Sequence, residues 1–209
     1  MECNQKMLQQ SLNNNDKDAS ILCALALLEQ KKFSVVDLFE KIIIPGLTEF
    51  SCSISQKECM WKYKVRKLIS KSIINASYPY VIEQKKKTNK IKTIVCCPNE
   101  ESNEIYDDVI NDYLLLEGYD SINIGAESNY EEIKDALTTT KCHILVLSVT
   151  NCIYVIRAQR LIEHLKKEYG DLKIAIYGPA FALEHNRSQV MYDYYLTDYK
   201  SLLIMEDKK

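Results

Sequence analysis

Residues 91–119, IKTIVCCPNEESNEIYDDVINDYLLLEGY, predict the unit around which the chain folds. The run from Ile91 to Cys97 is apolar and rich in β-branched residues, which is typical of a strand buried on both faces, and Pro98 ends it. Gly118 is the residue type that most easily ends a helix in the left-handed conformation. Before it, apolar residues recur at helical spacing at Ile105, Val109, Tyr113 and Leu116. The stretch therefore predicts a strand, a loop and a helix.

The alternation of strand and helix continues to the end of the chain. Further strands are predicted at 121–124, 143–148, 172–177 and 192–196, with helices at 128–137, 153–169 and 199–205. This order predicts a flavodoxin-like, doubly wound sheet of five parallel strands. Ligands of such sheets bind outside the carboxyl ends of the strands. We therefore expect the functional site at the loop 98–105, at Ser148 and Thr150, and at Gly178.

The residues before the sheet predict a helical bundle. Residues 19–29 are apolar on almost every face, Ser34 and Asp37 have the spacing of a capping box, and Trp61 belongs to a longer helix. Pro79 and a run of lysines then change the composition. The predicted organisation is a polar leader, a helical cap domain, a linker and a flavodoxin-like domain, at residues 1–18, 19–78, 79–90 and 91–209.

Charge is unevenly distributed along the 209 residues, although the net charge is only -2. Residues 1–92 carry 16 Lys and Arg against 9 Asp and Glu, whereas the remainder carries 11 against 20. Much of the basic excess lies in the lysine-rich segment 85–92, which favours a solvated linker over a nucleic-acid surface. We therefore predict no direct binding of nucleic acid by this chain.

The cysteines and histidines predict neither a disulfide framework nor a metal site. The eight cysteines form no C-x-x-C pair, which indicates reduced thiols in a cytoplasmic protein. The three histidines stand far apart at His143, His164 and His185, and no Ser-His-Asp order suggests a catalytic triad. With no signal peptide and no apolar run of about 18 residues, we expect no membrane association.

Short motifs along both parts resemble those of the cobalamin-binding module, a helical bundle joined to a flavodoxin-like domain. The segment with Glu58 and Cys59 resembles the family's Glu-His pair above the corrin ring, and Glu100 to Ile105 stands in place of its D/E-x-H-x-x-G loop. Further landmarks match at 116–119, 124–125, 147–150 and 177–179. The resemblance implies contacts to a cofactor from Glu58, Cys59, Trp61, Glu100, Ser102, Ser148, Thr150 and Gly178.

The departures from the family fall on its ligands. Ser102 stands where the family has the histidine that binds cobalt from below, Cys59 replaces the upper histidine, and Ile105 replaces the loop glycine. A hydroxyl cannot replace imidazole as a nitrogen donor to cobalt. Glu58 and Glu100 also suit solvated carboxylates, and Cys59 suits a buried thiol. Because some relatives of the module bind haem, the resemblance leaves both cobalamin and haem open as cofactors, with no metal site predicted from the residues.

These observations predict a non-enzymatic sensory or regulatory domain of the kind found in MerR-type light- or cobalamin-dependent transcriptional regulators. Only eighteen residues precede Ala19, so a DNA-binding helix-turn-helix is expected on a missing segment or a partner. The alternatives are a corrinoid-carrier subunit of a methyltransferase system and a haem-binding sensor. We expect a small-molecule effector between the domains, and either a homo-oligomer or a regulatory protein partner.

Overall fold

The computed structural model describes residues 3–48, 57–88, 91–98, 101 and 104–205, with the backbone alone at 57–60. The chain divides into two compact units, Met1–Gln84 and Lys85–Lys209. The first unit is helical, as predicted. Its elements are α1 (Gln5–Asn13), α2 (Lys17–Glu29), α3 (Val35–Leu38), a π-helical turn (Phe39–Ile43), α4 (Ile44–Thr48) and α5 (Lys57–Gln84).

The amino-terminal residues form a helix, so the prediction of a polar leader over residues 1–18 was wrong. Asn4 caps α1 by accepting a hydrogen bond from the backbone N–H of Met7 at 3.0 Å. Leu8 and Leu12, four residues apart on one face of α1, are buried. Two leucines on one face are enough to attach an otherwise polar helix to the bundle.

The predicted linker also differs from the structure at its start, because α5 continues through Pro79 to Gln84. Proline removes the hydrogen bond to the carbonyl four residues earlier, which here belongs to Asn75. Asn75 and Pro79 both lie on the exposed side of the helix, where water can satisfy that carbonyl. Val81, beyond the proline, is buried and extends the packed face.

The helical spacing of Trp61, Leu68 and Ile73 predicts one packed face of α5, and the structure buries only part of it. Trp61 is 52% exposed and Leu68 is 67% exposed, whereas Ile73 is buried, as are Ile69 and Ile74. The capping box of Ser34 and Asp37 is confirmed, with both reciprocal hydrogen bonds present at the start of α3.

The second unit is the predicted five-stranded parallel sheet. Its strands are β1 (Lys92–Pro98), β2 (Asp120–Ser128), β3 (Ile144–Ser148), β4 (Lys173–Tyr177) and β5 (Tyr194–Leu196). They lie in the order β2-β1-β3-β4-β5, and each neighbouring pair is parallel. The flavodoxin-like, doubly wound fold is thereby confirmed, with β1 and β3 adjacent at the point where the strand order reverses.

Helices cover this sheet between the strands. They are α6 (Ile105–Glu117), α7 (Tyr130–Thr140), α8 (Val155–Glu168) and α9 (Glu184–Arg187), with 3-10 turns at Cys152–Tyr154, Pro179–Ala182 and Tyr199–Met205. The predicted apolar face of α6 is buried at Ile105, Val109, Tyr113 and Leu116. Gly118 ends α6 with φ +89, and a Cβ there would lie 2.5 Å from the Lys87 carbonyl oxygen. A glycine is therefore required at this turn.

Candidate functional site

The carboxyl ends of β1, β3 and β4 bring together a set of polar and aromatic side chains, which we call the strand-end site. It comprises Cys97, Glu101, Tyr106, Asp107, Ser148, Thr150, Tyr177 and Gly178. All belong to the second unit. Parallel pairing places the ends of these strands at one edge of the sheet, next to the β1–β3 switch point.

Ser148, Thr150 and Gly178 lie together, as their predicted positions at strand ends required. The N–H of Val149 donates to the carbonyl of Tyr177 at 2.9 Å, and the N–H of Ala180 donates to the carbonyl of Val149 at 3.1 Å. Gly178 has φ +108, and a Cβ there would lie 2.5 Å from the Val149 carbonyl oxygen. The turns after β3 and β4 are thus joined through a backbone contact that only glycine permits.

Glu101 connects the loop after β1 to the turn after β3. One carboxylate oxygen accepts a hydrogen bond from the backbone N–H of Thr150 at 2.9 Å and another from the Thr150 hydroxyl. The Glu101 carbonyl also accepts from the Cys97 thiol at 3.1 Å and from the Glu127 N–H at 3.2 Å. With 2% of its surface exposed, Glu101 belongs to the interior rather than to the solvated surface of the loop.

Asp107 lies in the first turn of α6 and is fully buried. Within the described part of the chain, neither its carboxylate oxygens nor the Ser148 hydroxyl oxygen makes a hydrogen bond of acceptable geometry. Burial raises the pKa of Asp107 to about 7, although the nearby Ser148 hydroxyl and Cys97 thiol act to lower it. The carboxyl group therefore changes charge near neutral pH, in the middle of the strand-end site.

Aromatic and apolar side chains also belong to the surroundings of the strand-end site. The rings of Tyr106 and Tyr177 lie 6.1 Å apart between centroids, and both side chains are buried. Ile105, which replaces the loop glycine of the resembled family, is also buried. Burial raises the pKa of the Cys97 thiol far above its ordinary range, so this cysteine is neutral.

The other predicted site residues are placed less completely. Glu58 belongs to α5, as does Cys59, but both side chains lie outside the described residues. Trp61 is on α5 with about half of its surface exposed. Glu100 and Ser102 lie outside the described residues altogether. The contacts expected of these five residues therefore stay predictions.

Glu101 and Asp107 are the site residues that sequence reasoning missed. In the sequence, Glu101 does not differ from the neighbouring acids Glu100 and Glu104. A partner 49 residues away and deep burial are not visible in a local pattern. Helical spacing gives no hint either, because Asp107 is two residues from both Ile105 and Val109 and so lies on the other side of the helix from their apolar face.

A cavity of about 590 Å³ opens at the opposite edge of the sheet, among the amino ends of the strands. Two of its polar side chains are engaged: His143 accepts a hydrogen bond from the Lys92 N–H, and Lys173 pairs with Asp193 at 3.0 Å. We therefore assign function to the strand-end site, where Asp107 and Ser148 are buried without such partners.

The described residues also lack two features that would indicate other kinds of protein. They contain no group of three or more His, Cys, Asp or Glu side chains placed to hold a metal ion. None of their helices combines the length and the apolar character needed to cross a membrane.

No family model matches the sequence. No curated protein matches it significantly. Solved structures do match it, and they match both units together. The monomethylamine corrinoid protein of Methanosarcina barkeri has a TM-score of 0.80 and 13% identity, over 98% of this chain and 99% of that one.

Two other solved structures have lower TM-scores but match a similar share of this chain. A cobalamin-binding protein from Desulfitobacterium hafniense DCB-2 has a TM-score of 0.51 and 15% identity, over 95% of this chain and 96% of that one. The methanol:cobalamin methyltransferase complex MtaBC of Methanosarcina barkeri has a TM-score of 0.51 and 14% identity, over 96% of this chain and 77% of that one.

These likenesses define the class of fold. The chain has the fold of cobalamin-binding modules, a helical bundle followed by a flavodoxin-like sheet, and the resemblance drawn from the sequence motifs is confirmed at that level. The matched proteins include a corrinoid protein and a methyltransferase complex.

Proposed function

We propose that this protein is a corrinoid-binding carrier module that works with a methyltransferase partner and is not itself the catalyst. The observation that carries the proposal is the match to the monomethylamine corrinoid protein, which extends over both units and nearly the whole length of both chains. Because a fold hosts many functions, the proposal also depends on the chemistry of the strand-end site.

The residues of the strand-end site fit a corrinoid in part. Ser148 and Thr150 place hydroxyl groups at the end of β3, and Gly178 allows the turns after β3 and β4 to approach closely. The loop after β1 carries Ser102 instead of histidine, and none of the three histidines lies between Pro98 and Ile105. The chain therefore lacks an imidazole nitrogen in this loop, and we infer that it holds a corrinoid without a histidine ligand from there.

When bound, a corrinoid would supply a cobalt ion able to carry a methyl group. The role of the chain is to bind the corrinoid and to present it to the partner. The candidate contacts are those implied by the family resemblance, namely Glu58, Cys59, Trp61, Glu100, Ser102, Ser148, Thr150 and Gly178.

The test is retention of a corrinoid by the purified protein. We expect hydroxocobalamin to co-elute in gel filtration, with an absorption spectrum that keeps the corrinoid's own benzimidazole on cobalt. Ser102→Ala should leave that spectrum unchanged, because the serine does not replace the missing ligand. Complete separation of corrinoid from protein contradicts the proposal. Haem, incubated in parallel, tests the alternative cofactor.

A pair of variants locates the site. Thr150 is only half-buried, so Thr150→Tyr places a bulky ring at the strand ends without filling the core. We expect it to weaken corrinoid binding at least tenfold. Thr138→Tyr, on the exposed face of α7, adds the same ring elsewhere and should bind like the original protein. Equal affinities for both variants would place the corrinoid away from the strand-end site.

A further inference from the structure

One carboxylate occupies the hydrogen-bond donors that the turn after β3 presents at the strand-end site. Both the N–H and the hydroxyl of Thr150 are directed to Glu101. Hydrogen bonds to an ionised carboxylate are stronger than those to neutral acceptors. A ligand that needs these donors must therefore displace Glu101 first.

A second buried carboxyl group, that of Asp107, interacts electrostatically with Glu101. The negative charge of Glu101 contributes to raising the pKa of Asp107, so a charged Asp107 must in turn repel Glu101. Asp107 has no hydrogen-bond partner of acceptable geometry in the described part of the chain that would hold its charge. Ionisation of Asp107 in its present surroundings is costly, and movement of Glu101 away from Asp107 would lower that cost.

Among the described residues, the side chains that act on the pKa of Asp107 carry no positive charge. From β1 the neutral Cys97 thiol faces it, from β3 the Ser148 hydroxyl, and from its own helix Asp108. On the side of β2, the Asn123 amide donates to Asp108 at 3.0 Å, and the Glu127 N–H donates to the carbonyl of Glu101. Each of these groups is neutral or negative near pH 7.

We propose that Glu101 is a latch, which closes the strand-end site by binding Thr150, and that a negative charge on Asp107 releases it. With Asp107 neutral, the two carboxyl groups do not repel each other and the latch stays closed. With Asp107 charged, repulsion weakens the bonds to Thr150 and water reaches both carboxylates. The latch would control access to the strand-end site. It rests on the proposed carrier function only for the identity of the ligand, a corrinoid.

The backbone N–H of Thr150 reports the latch directly, because its hydrogen bond to Glu101 is part of it. We would measure hydrogen exchange of this amide by NMR from pH 6 to pH 8 in the full chain, corrected for the intrinsic exchange rate. Its protection should fall by about tenfold, the factor that corresponds to one pKa unit of coupling. The neighbouring N–H of Val149, bonded to the Tyr177 carbonyl, serves as the internal control and should not change.

Two variants separate the latch from general loosening of the loop. Asp107→Asn keeps the size of the side chain but cannot ionise, so protection of the Thr150 amide should stay high at both pH values. Glu101→Gln removes the repelled charge, so protection should be lower and independent of pH; it carries the test if Asp107→Asn does not fold. A tenfold fall that persists in either variant, or equal changes at Val149 and Thr150, would overturn the proposal.

This measurement needs no corrinoid, so its failure is distinguishable from failure of the proposed function. If exchange of the Thr150 amide depends on pH but the protein retains no corrinoid, the latch is supported and the carrier function is contradicted. Corrinoid binding with no change in Thr150 exchange supports the carrier function and contradicts the latch.

Discussion

The carboxylate of Glu101 binds both the backbone N–H and the hydroxyl of Thr150, across 49 residues of sequence. This contact joins the loop after β1 to the turn after β3, at the position where a doubly wound sheet binds ligands. In this chain a buried acid occupies that position.

Removal of the Thr150 hydroxyl should destabilise the second unit measurably. Thr150→Val keeps the shape of the side chain but takes away one donor to a buried carboxylate, which costs about 1–3 kcal/mol in unfolding free energy. Urea denaturation measures the loss. Thr138→Val, which removes a hydroxyl from the exposed surface of α7, is the matched control and should stay within about 0.5 kcal/mol. Equal effects would mean that the Glu101–Thr150 contact does not stabilise the fold.

Sequence patterns predicted the elements that depend on local periodicity. An apolar run predicts a strand at 91–97, observed at Lys92–Pro98, and helical spacing predicts the apolar face of α6. Repetition of the two kinds of element predicts the parallel sheet. The buried acids did not follow, because neither Glu101 nor Asp107 can be distinguished in sequence from a solvated carboxylate. Their burial depends on which distant loop covers them, and only the tertiary structure specifies that.

The errors in the bundle have a similar cause. Pro79 usually ends a helix, yet here the lost hydrogen bond falls on the exposed side and the helix continues. The polar composition of residues 1–18 did not indicate a packed helix, although two leucines on one face are enough to pack α1 against the rest of the bundle. Helical spacing predicts Trp61 on one face with Ile73, yet Ile73 is buried and Trp61 is 52% exposed.

Leucine truncations test the corrected amino-terminal helix. Leu8→Ala and Leu12→Ala each remove a buried side chain and should lower the unfolding free energy of the first unit by about 2–4 kcal/mol. Leu22→Ala on α2 removes the same atoms from a side chain that is 65% exposed, and should cost less than about 1 kcal/mol. If truncation at Leu8 and Leu12 costs no more than at Leu22, α1 is not packed on the bundle in solution. Thermal or urea unfolding monitored by circular dichroism distinguishes these results.

The buried aspartates of α6 should make the second unit less stable as pH rises. Burial raises the pKa of Asp107 to about 7, and burial followed by the charge of Asp108 raises that of Asp112 to about 7, from an ordinary value of 3.8. Between these values the folded state binds more protons than the unfolded state. The stabilising contribution is therefore complete below the unfolded pKa and is lost as pH rises through about 7.

The expected difference between pH 5.5 and pH 8 is of the order of 1–4 kcal/mol for the two groups together, with the lower stability at pH 8. Asp107→Asn and Asp112→Asn should each flatten the dependence, since the amides do not titrate. Asp120→Asn, which changes the exposed first residue of β2, is the control for the substitution itself. A stability that rises over this interval in the original protein would show that these carboxyl groups are ionised without penalty.

Alanine variants of three glycines distinguish the two reasons for which Gly178 is required, its positive φ and its close approach to Val149. Gly178→Ala forces a side chain into φ +108 and places its Cβ 2.5 Å from the Val149 carbonyl oxygen. Gly125 shares a positive φ of +89 but has no heavy atom within 4 Å of the added Cβ, and Gly170 has neither constraint. The loss of unfolding free energy should therefore be about 1–2 kcal/mol for Gly125→Ala, larger for Gly178→Ala, and close to zero for Gly170→Ala. Urea denaturation gives the three values. If Gly178→Ala loses more unfolding free energy than Gly125→Ala, the close approach of the turns after β3 and β4 adds to the backbone strain. Equal losses would refute the contact with Val149.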